Sequence, residues 1–359
     1  MYKNAAAGRL LNAEKGQDME NLLERLCAPA GVSGAEDCAA QTACELLSQY
    51  APDAAVDKFG CVTGSIGERG SGKPTVLLEA HIDEIGFIVT YIGEDGFLRV
   101  GNCGGTDRRL YAAQTVTVHT EGGDIRGVIC TLPPHVASDS SKAMKTEDAA
   151  VDIGFTTRSE AEKHVAPGDR ITIDNTLAKL CGTRVTSKAL DDRAGVAAVL
   201  WALELAKDKP LMYNVEVLFA SQEEVGSRGA VIGAYRGEAD IALATDVSFA
   251  YTPDDKKHLC GTMGKGAMIG ISPVLDRGVT DELKKLAADK GIPYQYEVMG
   301  RDTGTDADEI SLLKGGIRTG LISIPLKYMH TPVEIVDTED VKAVGRLMAA
   351  FITGGESDV

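Results

Sequence analysis

Several features that mark membrane, secreted and metal-ribbon proteins are absent from this chain of 359 residues. No uninterrupted apolar run approaches the roughly 18 residues that a membrane span needs, and the N-terminal sequence lacks the apolar core of a signal peptide. The eight cysteines occur singly, without the CxxC pairs of a zinc ribbon or the density of a disulfide scaffold. We therefore expect a cytoplasmic protein with reduced cysteines and no membrane partner.

Basic charge is also scarce. The chain has 53 acidic and 37 basic residues, which gives a formal net charge of -16. Nucleic acid backbones and anionic membranes attract clustered Lys and Arg, so this balance argues against both as partners. Hydrophobic residues make up 44% of the sequence, which is enough for a large core in one domain or in two domains of unequal size.

The apolar pattern divides the chain into an α/β part that is interrupted by a β-rich part. Residues 19–85 predict two amphipathic helices and two strands. Residues 86–176 consist of short β-rich runs between Gly and Asp clusters, which is typical of a small barrel or sandwich. From residue 186 onward helices and strands alternate again. We predict an α/β fold with a mostly parallel central sheet, helices on both of its faces and an inserted small β-barrel-like domain.

Acidic and histidine side chains follow several of the predicted strands. Any one of these residues could equally be a solvated loop residue or part of a site. Solvated loops alone do not readily explain why all of them occur together. The carboxyl ends of strands in an open α/β sheet form one rim where ligands bind, so we expect these side chains to meet in one crevice. The residues are His81, Asp83, Glu223, Glu224, Asp246 and His330, together with Asp191, which opens a predicted helix.

These residue types match the ligands of two neighbouring divalent metal ions. Three carboxylates, two neutral imidazoles and a bridging hydroxide would balance the four positive charges of two such ions. We predict that Asp191 bridges the ions, that His81 and Asp246 complete one of them, and that Glu224 and His330 complete the other.

Two further carboxylates have predicted roles beside the metal ions. Asp83 lies two residues after His81 and is expected to accept the second imidazole N–H, which fixes the tautomer of the ring. Glu223 is adjacent to the predicted ligand Glu224, and we expect it to act as the general base on the metal-bridging water.

Other polar residues have simpler explanations. Thr305 and Asp306 could line a substrate pocket, but TDAD is also typical of a helix N-cap with an acidic first turn, which we favour. Arg193 and Arg228 are interpreted as salt-bridge partners of neighbouring acids. The remaining histidines are interpreted as surface-loop residues: His119, His135, His164 and His258.

Six segments resemble, in order, the motifs of the M42 family of metalloaminopeptidases: HIDEIGF, SKALDDRAG, QEEVGSRGA, ATDVS, GTDADEI and ISIPLKYMHTPVEIVD. The resemblance runs from about Met19 to Gly354. It implies an enzyme that removes N-terminal residues from peptides with two zinc or cobalt ions, and the ligand set also admits manganese. It implies the same roles for the five predicted ligands and for Glu223 as the base, and a cis peptide bond after Asp191.

The resemblance also implies how the chain is organised. The catalytic domain would consist of residues 19–85 and 177–359, and the insert at 86–176 would mediate dimerisation. Such dimers would assemble into a homododecamer. Residues 1–18 have no counterpart in the family pattern and are expected to be an N-terminal extension.

Other functions stay open on the sequence alone. A related dinuclear hydrolase, such as an N-acyl amino acid deacylase or a carboxypeptidase, would use the same ligands. A glycosidase also uses two carboxylates, but it needs neither the histidines nor a bridging aspartate. A non-catalytic assembly protein would keep the fold without needing the complete ligand set.

Overall fold

A computed structural model describes residues 18–67, 72–131 and 143–355. His135 and the extension predicted over residues 1–18, apart from Asp18, lie outside these described residues. Helices alternate with strands along most of the chain. The helices are α1 (Asp18–Cys27), α2 (Asp37–Leu47), α3 (Arg158–Ala161), α4 (Leu190–Ala206), α5 (Arg228–Arg236), α6 (Arg277–Lys290), α7 (Asp306–Ile310) and α8 (Thr338–Ile352).

Within the described residues, 11 strands form one large mixed sheet. They are β1 (Ala55–Val56), β2 (Val62–Ile66), β3 (Thr75–His81), β10 (Ala178–Lys179), β11 (Arg184–Ser187), β12 (Asn214–Ala220), β13 (Ile241–Phe249), β14 (Ala267–Ile271), β15 (Tyr294–Val298), β16 (Arg318–Lys327) and β17 (Glu334–Asp337). The strand order is β1-β2-β12-β3-β13-β16-β17-β11-β10, with β14 paired to β16 and β15 paired to β14.

The centre of this sheet is parallel. Strands β12, β3, β13 and β16 are neighbours that run in the same direction, whereas the strands outside them pair mainly antiparallel. The central strands read as nearly continuous apolar runs because both of their faces are buried. Their carboxyl ends therefore meet at one edge of the sheet, and the apolar core lies below this edge.

Helices cover both faces of the sheet. Helices α1, α4 and α8 pack on one face, where Leu78 and Val217 contribute to the main core. Helices α5 and α7 pack on the other face, which includes Leu77 and Leu218. Successive residues of a strand point to opposite faces, so this alternation builds two cores from the same strands. The predicted α/β fold class with helices on both faces is confirmed.

Six further strands close into a barrel: β4 (Gly86–Ile92), β5 (Leu98–Cys103), β6 (Thr115–Thr120), β7 (Gly123–Ile129), β8 (Ala150–Asp152) and β9 (Arg170–Ile173). The barrel has its own buried core, which includes Phe87 and Val116. The first strand β4 pairs with the last strand β9, with Phe87 opposite Ile171. The chain therefore leaves the large sheet and returns to it at neighbouring points.

The element bounds differ from the sequence prediction in a few places. The helix that Asp191 was predicted to open begins at Leu190, with irregular backbone at Asp191 and Asp192. The strand predicted to end before Asp246 continues through it to Phe249. Strands β1, β8, β10, β11, β14 and β17 were not predicted, since each is short or lies between Gly-rich turns. No helix within the described ranges is both long and apolar enough to cross a membrane.

Candidate metal centre

The four parallel strands deliver polar residues to one edge of the sheet. His81 is the last residue of β3, and its register partner Ala220 is the last residue of β12. Glu223 and Glu224 follow β12 after a turn in which Gln222 has a φ of 58°. Asp246 lies on β13 and His330 follows β16. The structure thus brings together the side chains that the sequence places far apart.

One group of potential ligands comprises His81, Asp191 and Asp246, all of them buried. Nε2 of His81 lies 3.1 Å from Oδ1 of Asp191 and 3.9 Å from Oδ1 of Asp246. The ligand atoms of this group all lie within 4.8 Å of one another. That spacing suits a single ion coordinated by two carboxylates and an imidazole.

A second group shares Asp191 with the first and adds Glu224 and His330. Nε2 of His330 lies 3.5 Å from Oδ2 of Asp191 and 3.5 Å from Oε2 of Glu224. The two oxygens of Asp191 therefore face different groups. This is the arrangement expected of a carboxylate that bridges two ions.

The charges at this edge fit cations. Burial, followed by the neighbouring Asp192 carboxylate, raises the pKa of Asp246 well above its usual value. Burial and the Asp191 carboxylate do the same to the pKa of Glu224. Among the described residues that line the cavity above the site there is no Lys or Arg to offset these carboxylates. Divalent cations would remove the repulsion, so the donor set fits metal ions in number, type and charge.

Asp83 holds two parts of the site together. Its Oδ1 lies 3.4 Å from Nδ1 of His81, which is long for a hydrogen bond. The same carboxylate accepts the backbone N–H groups of Glu223 at 2.9 Å and of Glu224 at 3.2 Å, and the Oγ–H of Ser33 at 2.6 Å. Burial acts to raise the pKa of Asp83, but these hydrogen bonds and His81 bring it below its usual value. The side chain is therefore an anion that fixes the Glu223–Glu224 turn and lies beside His81.

Glu223 has the electrostatics of a general base. Burial, with smaller contributions from Asp306 and Asp83, raises the pKa of Glu223 to about 7 in the absence of bound metal. A carboxylate with a pKa near neutrality can both accept and release a proton. Within the described residues no hydrogen bond to the Glu223 side chain is present, so both of its oxygens are free to contact a water or a substrate.

The imidazole of His330 is oriented by the inserted barrel. Nδ1 of His330 contacts the carbonyl oxygen of Gly105 at 2.9 Å. Because a carbonyl oxygen can only accept, Nδ1 carries the proton and Nε2 presents its lone pair to Asp191 and Glu224. A Cβ atom at Gly104, whose φ is 75°, would lie 2.9 Å from Oε2 of Glu224. The loop after β5 therefore needs small residues to approach the site this closely.

Glu334 is a buried carboxylate for which no role was predicted. Its Oε1 accepts the backbone N–H of His330 at 3.0 Å, and its Oε2 accepts that of Asp191 at 3.1 Å. One side chain thus fixes two ligand-bearing segments. Its position four residues after His330, in HTPVE, could have indicated the contact with His330. The contact with Asp191 could not be predicted, because the two residues are 143 positions apart.

No role was predicted for Glu79 either, although its place in the sequence is unusual. It is an acidic residue within the apolar strand β3 and is 1% exposed. Burial and the nearby Asp306 carboxylate raise the pKa of Glu79 well above its usual value. A charged residue inside a fully buried strand indicates a polar layer beneath the site. Asp306 itself begins α7, and the side chain of Thr305 accepts the backbone N–H of Ala307, which confirms the predicted N-cap.

The remaining predictions have mixed outcomes. Arg193 is fully buried and pairs with Glu84 at 3.2 Å, so the predicted salt bridge is confirmed. The salt bridge predicted for Arg228 is wrong within the described residues: its Nε instead contacts the carbonyl oxygen of Val225 at 3.4 Å, because no acid lies within reach. The Asp191–Asp192 peptide bond is cis, as the resemblance implied.

Comparisons with known proteins agree with this geometry. The family model described as M42 glutamyl aminopeptidase matches residues 60–347. The lysyl aminopeptidase of Pyrococcus furiosus is 32% identical over 92% of this chain and 96% of its own length.

Two solved structures are similar over most of the chain. The aminopeptidase APDkam598 of the archaeon Desulfurococcus kamchatkensis is 35% identical with a TM-score of 0.88, and the match covers 94% of this chain and 95% of that one. The TET1 peptidase of Pyrococcus horikoshii is 31% identical with a TM-score of 0.83, covers 93% and 99% respectively, and is described as assembling into a tetrahedron or a large octahedral shell. The chain therefore belongs to the M42 aminopeptidase family and is a metal-dependent peptide hydrolase.

Proposed function

We propose that this aminopeptidase works with two divalent cations and that Glu223 is its general base. The cations would be held by the two groups that share Asp191: His81 and Asp246 on one side, Glu224 and His330 on the other. When bound, they would supply Lewis acidity to the scissile carbonyl and to a water. The observation that carries the proposal is that the two oxygens of Asp191 face different ligand groups.

The protein residues do the proton chemistry. Glu223 takes a proton from the attacking water onto its carboxylate and later gives it to the leaving amine of the peptide. Asp83 keeps Glu223 in place through the backbone N–H that it accepts. The surrounding cavity of about 650 Å³ is large enough for the first residues of a peptide with a free N-terminus.

Several finer features belong to the same proposal. Zinc is the expected metal, with cobalt and manganese as alternatives that the mixed oxygen and nitrogen ligands accept. The barrel is expected to mediate dimerisation and the dimers to form a homododecamer, which is supported by the assemblies described for the similar TET1 peptidase. The predicted cytoplasmic location is retained, as are the predicted domain boundaries at residues 86 and 176.

The test compares metal content with turnover in chelator-stripped protein that is reloaded with zinc, cobalt or manganese. The substrates are aminoacyl p-nitroanilides, their N-acetylated forms, and peptides that offer only a free C-terminus. We expect turnover of the free-amine substrates alone, and only after reloading. Hydrolysis of the N-acetylated or C-terminal substrates instead would favour a deacylase or a carboxypeptidase.

Two variants separate the roles of the residues. Glu223→Gln should keep its metal and lose about 10²- to 10⁴-fold in kcat, whereas Asp191→Asn should lose both metal ions and turnover. Glu121→Gln, which removes an exposed carboxylate from the tip of the β6–β7 hairpin, is the matched control. Near-normal turnover in both site variants would refute the assignment.

A further inference from the structure

One carboxylate in the active-site cavity is not used by the metal centre or by the base. The cavity is lined by five acidic residues among those that the structure describes: Asp191, Glu223, Glu224, Asp246 and Glu297. The first four belong to the site described above. Glu297 lies on β15, outside the four parallel strands that carry the ligands.

The Glu297 carboxylate is held by two serine hydroxyls. Ser248 donates to its Oε1, and Ser323 donates to its Oε2 at 2.6 Å. Each carboxylate oxygen can accept more than one hydrogen bond, so both retain capacity for a further donor. Because both oxygens are held by hydrogen bonds, the carboxylate keeps one orientation.

The strand register places this carboxylate between the row of side chains that contains Asp246 and the next row. Ser323 is the register partner of Asp246, and Ser248 lies two residues beyond Asp246 on the same strand. These side chains therefore share one face of the sheet. Two residues of extended strand span about 6.8 Å, a length comparable with the four-carbon stem of a lysine side chain.

Apolar side chains form part of the lining of the cavity that contains the metal centre and Glu297. Several apolar side chains line the cavity together with Glu297: Phe249, Leu259, Met268, Val298, Met299 and Leu321. Such walls favour the methylene groups of a long side chain, while a charged end group seeks a partner of opposite charge. Methionine side chains adapt readily to stems of different shape.

Glu297 has no cationic partner among the residues that the structure describes. It forms no ion pair among the described residues, and none of those that line the cavity is a Lys or an Arg. Burial raises the pKa of Glu297, and the two serine hydroxyls act against that rise. An additional positive charge would stabilise the carboxylate further. A half-buried carboxylate with hydroxyl donors but no counterion among the described residues is an incomplete pair.

We propose that Glu297 binds the cationic side chain of an N-terminal Lys or Arg and thereby sets the substrate preference of this aminopeptidase. The inference rests on the proposed function, since it assumes that the first residue of a peptide enters this cavity. The α-amine of the substrate is an alternative partner for Glu297. However, this amine is adjacent to the scissile carbonyl and must remain at the metal centre. An acidic first residue would face the Glu297 carboxylate and be excluded.

The experiment measures kcat/KM for lysyl and norleucyl p-nitroanilide with zinc-loaded protein. Norleucine has the aliphatic stem of lysine without its ammonium group. We expect wild type to prefer the lysyl substrate, and Glu297→Gln to lower the lysyl-to-norleucyl ratio on the order of 10- to 100-fold. Glu121→Gln should leave the ratio at the wild-type value. Zinc content and the thermal unfolding midpoint are measured for each variant.

Three outcomes would overturn the inference: a wild-type preference for norleucyl, a ratio that Glu297→Gln leaves unchanged, or an equal loss with both substrates, which would assign Glu297 to the α-amine. Failure of the proposed function looks different, because then no anilide is hydrolysed by any metal-loaded form. In that case calorimetric binding of lysinamide and norleucinamide decides. Tighter binding of lysinamide that depends on Glu297 supports the inference, and equal binding refutes it.

Discussion

The backbone N–H of Asp191 donates to Oε2 of Glu334 at 3.1 Å, across 143 residues of sequence. The other oxygen of Glu334 accepts the backbone N–H of His330. Asp83 forms the same kind of contact with the turn that carries Glu223. Two buried carboxylates thus hold the ligand-bearing loops by their backbones, so the site is organised by groups that need not touch a metal ion.

Replacing Glu334 should weaken metal binding without removing a proposed ligand. In Glu334→Gln one acceptor oxygen remains, but the new amide N–H faces either Asp191 N–H or His330 N–H and repels it. We expect zinc affinity to fall by about 10- to 100-fold, with kcat/KM recovering in part at excess zinc. Competition with a fluorescent chelator measures the affinity. Glu309→Gln, at an exposed carboxylate, is the control, and equal affinities in both variants would contradict the role of Glu334.

The loop after β5 should be sensitive to a single methyl group. Gly104→Ala would place its Cβ 2.9 Å from Oε2 of Glu224 and 2.7 Å from the side chain of Ile85. We expect kcat/KM to fall on the order of tenfold, because the loop must move away from Glu224 and take Gly105 with it.

Gly154→Ala separates this contact from backbone strain. Gly154 has a φ of 86°, close to the 75° of Gly104, but a Cβ there would meet no atom within 4 Å. Both substitutions should cost about 1–2 kcal/mol of stability, and only Gly104→Ala should reduce activity. A similar activity loss in both would show that barrel stability, rather than the contact with Glu224, is responsible.

The metal-free protein should become less stable as the pH rises. The pKa of Glu223 is about 7 in the folded protein, above its ordinary value of 4.5, so the folded state binds this proton more tightly than the unfolded state does. The stabilisation is therefore present below about pH 4.5 and is lost as the pH rises through 7. Glu224 and Asp246 shift in the same direction.

Thermal unfolding of chelator-treated protein at pH 5.5, 6.5 and 7.5 checks this dependence, with those pH values chosen roughly to span the window of Glu223 titration. We expect the unfolding midpoint to fall across the series without metal. Added zinc should raise the midpoint most at the highest pH, because the ligands are then ionised. A midpoint that rises with pH in the metal-free protein would contradict the crowding of carboxylates at this site.

The buried cation Arg193 should matter far more than surface arginines. Its guanidinium donates to the carbonyl oxygens of Leu26 and Ile82 and to the carboxylate of Glu84. We expect Arg193→Met to lower the free energy of unfolding by about 3–5 kcal/mol, since Glu84 would be left with fewer partners in the core. Denaturant unfolding of the zinc-loaded protein measures the change.

Arg236→Met provides the comparison. Arg236 also forms an ion pair, with Asp57, but its side chain is 48% exposed. Its loss should cost at most about 1 kcal/mol. Equal effects in the two variants would mean that burial of the Arg193 pair does not determine its contribution.

The sequence was sufficient to predict those structural elements that depend on residues close together along the chain. The apolar runs ending near His81 and Glu223 indicated strands, and the polar residues after them indicated a common edge. The cap of α7 at Thr305 was also readable, because capping depends on adjacent residues.

Contacts that form only across the fold could not be predicted. The backbone N–H groups that Glu334 and Asp83 accept belong to segments far away in sequence, and no periodicity marks a hydrogen-bond acceptor for a distant backbone. Glu297 was not identified for a similar reason. Its importance depends on β15 lying beside β14, which places a carboxylate from the end of the sheet next to Ser323.

The pairing of β4 with β9 means that the inserted barrel begins and ends at adjacent points, with Phe87 opposite Ile171. Such paired residues lie only about 5 Å apart. An inserted domain whose ends are this close can become longer or shorter, or be replaced, without moving the strands of the large sheet. The outer surface of the barrel, and with it the partners that the barrel contacts, can therefore vary independently of the large sheet. The short loop at Gly104 and Gly105 is the part that must stay the same, because it reaches back to orient His330.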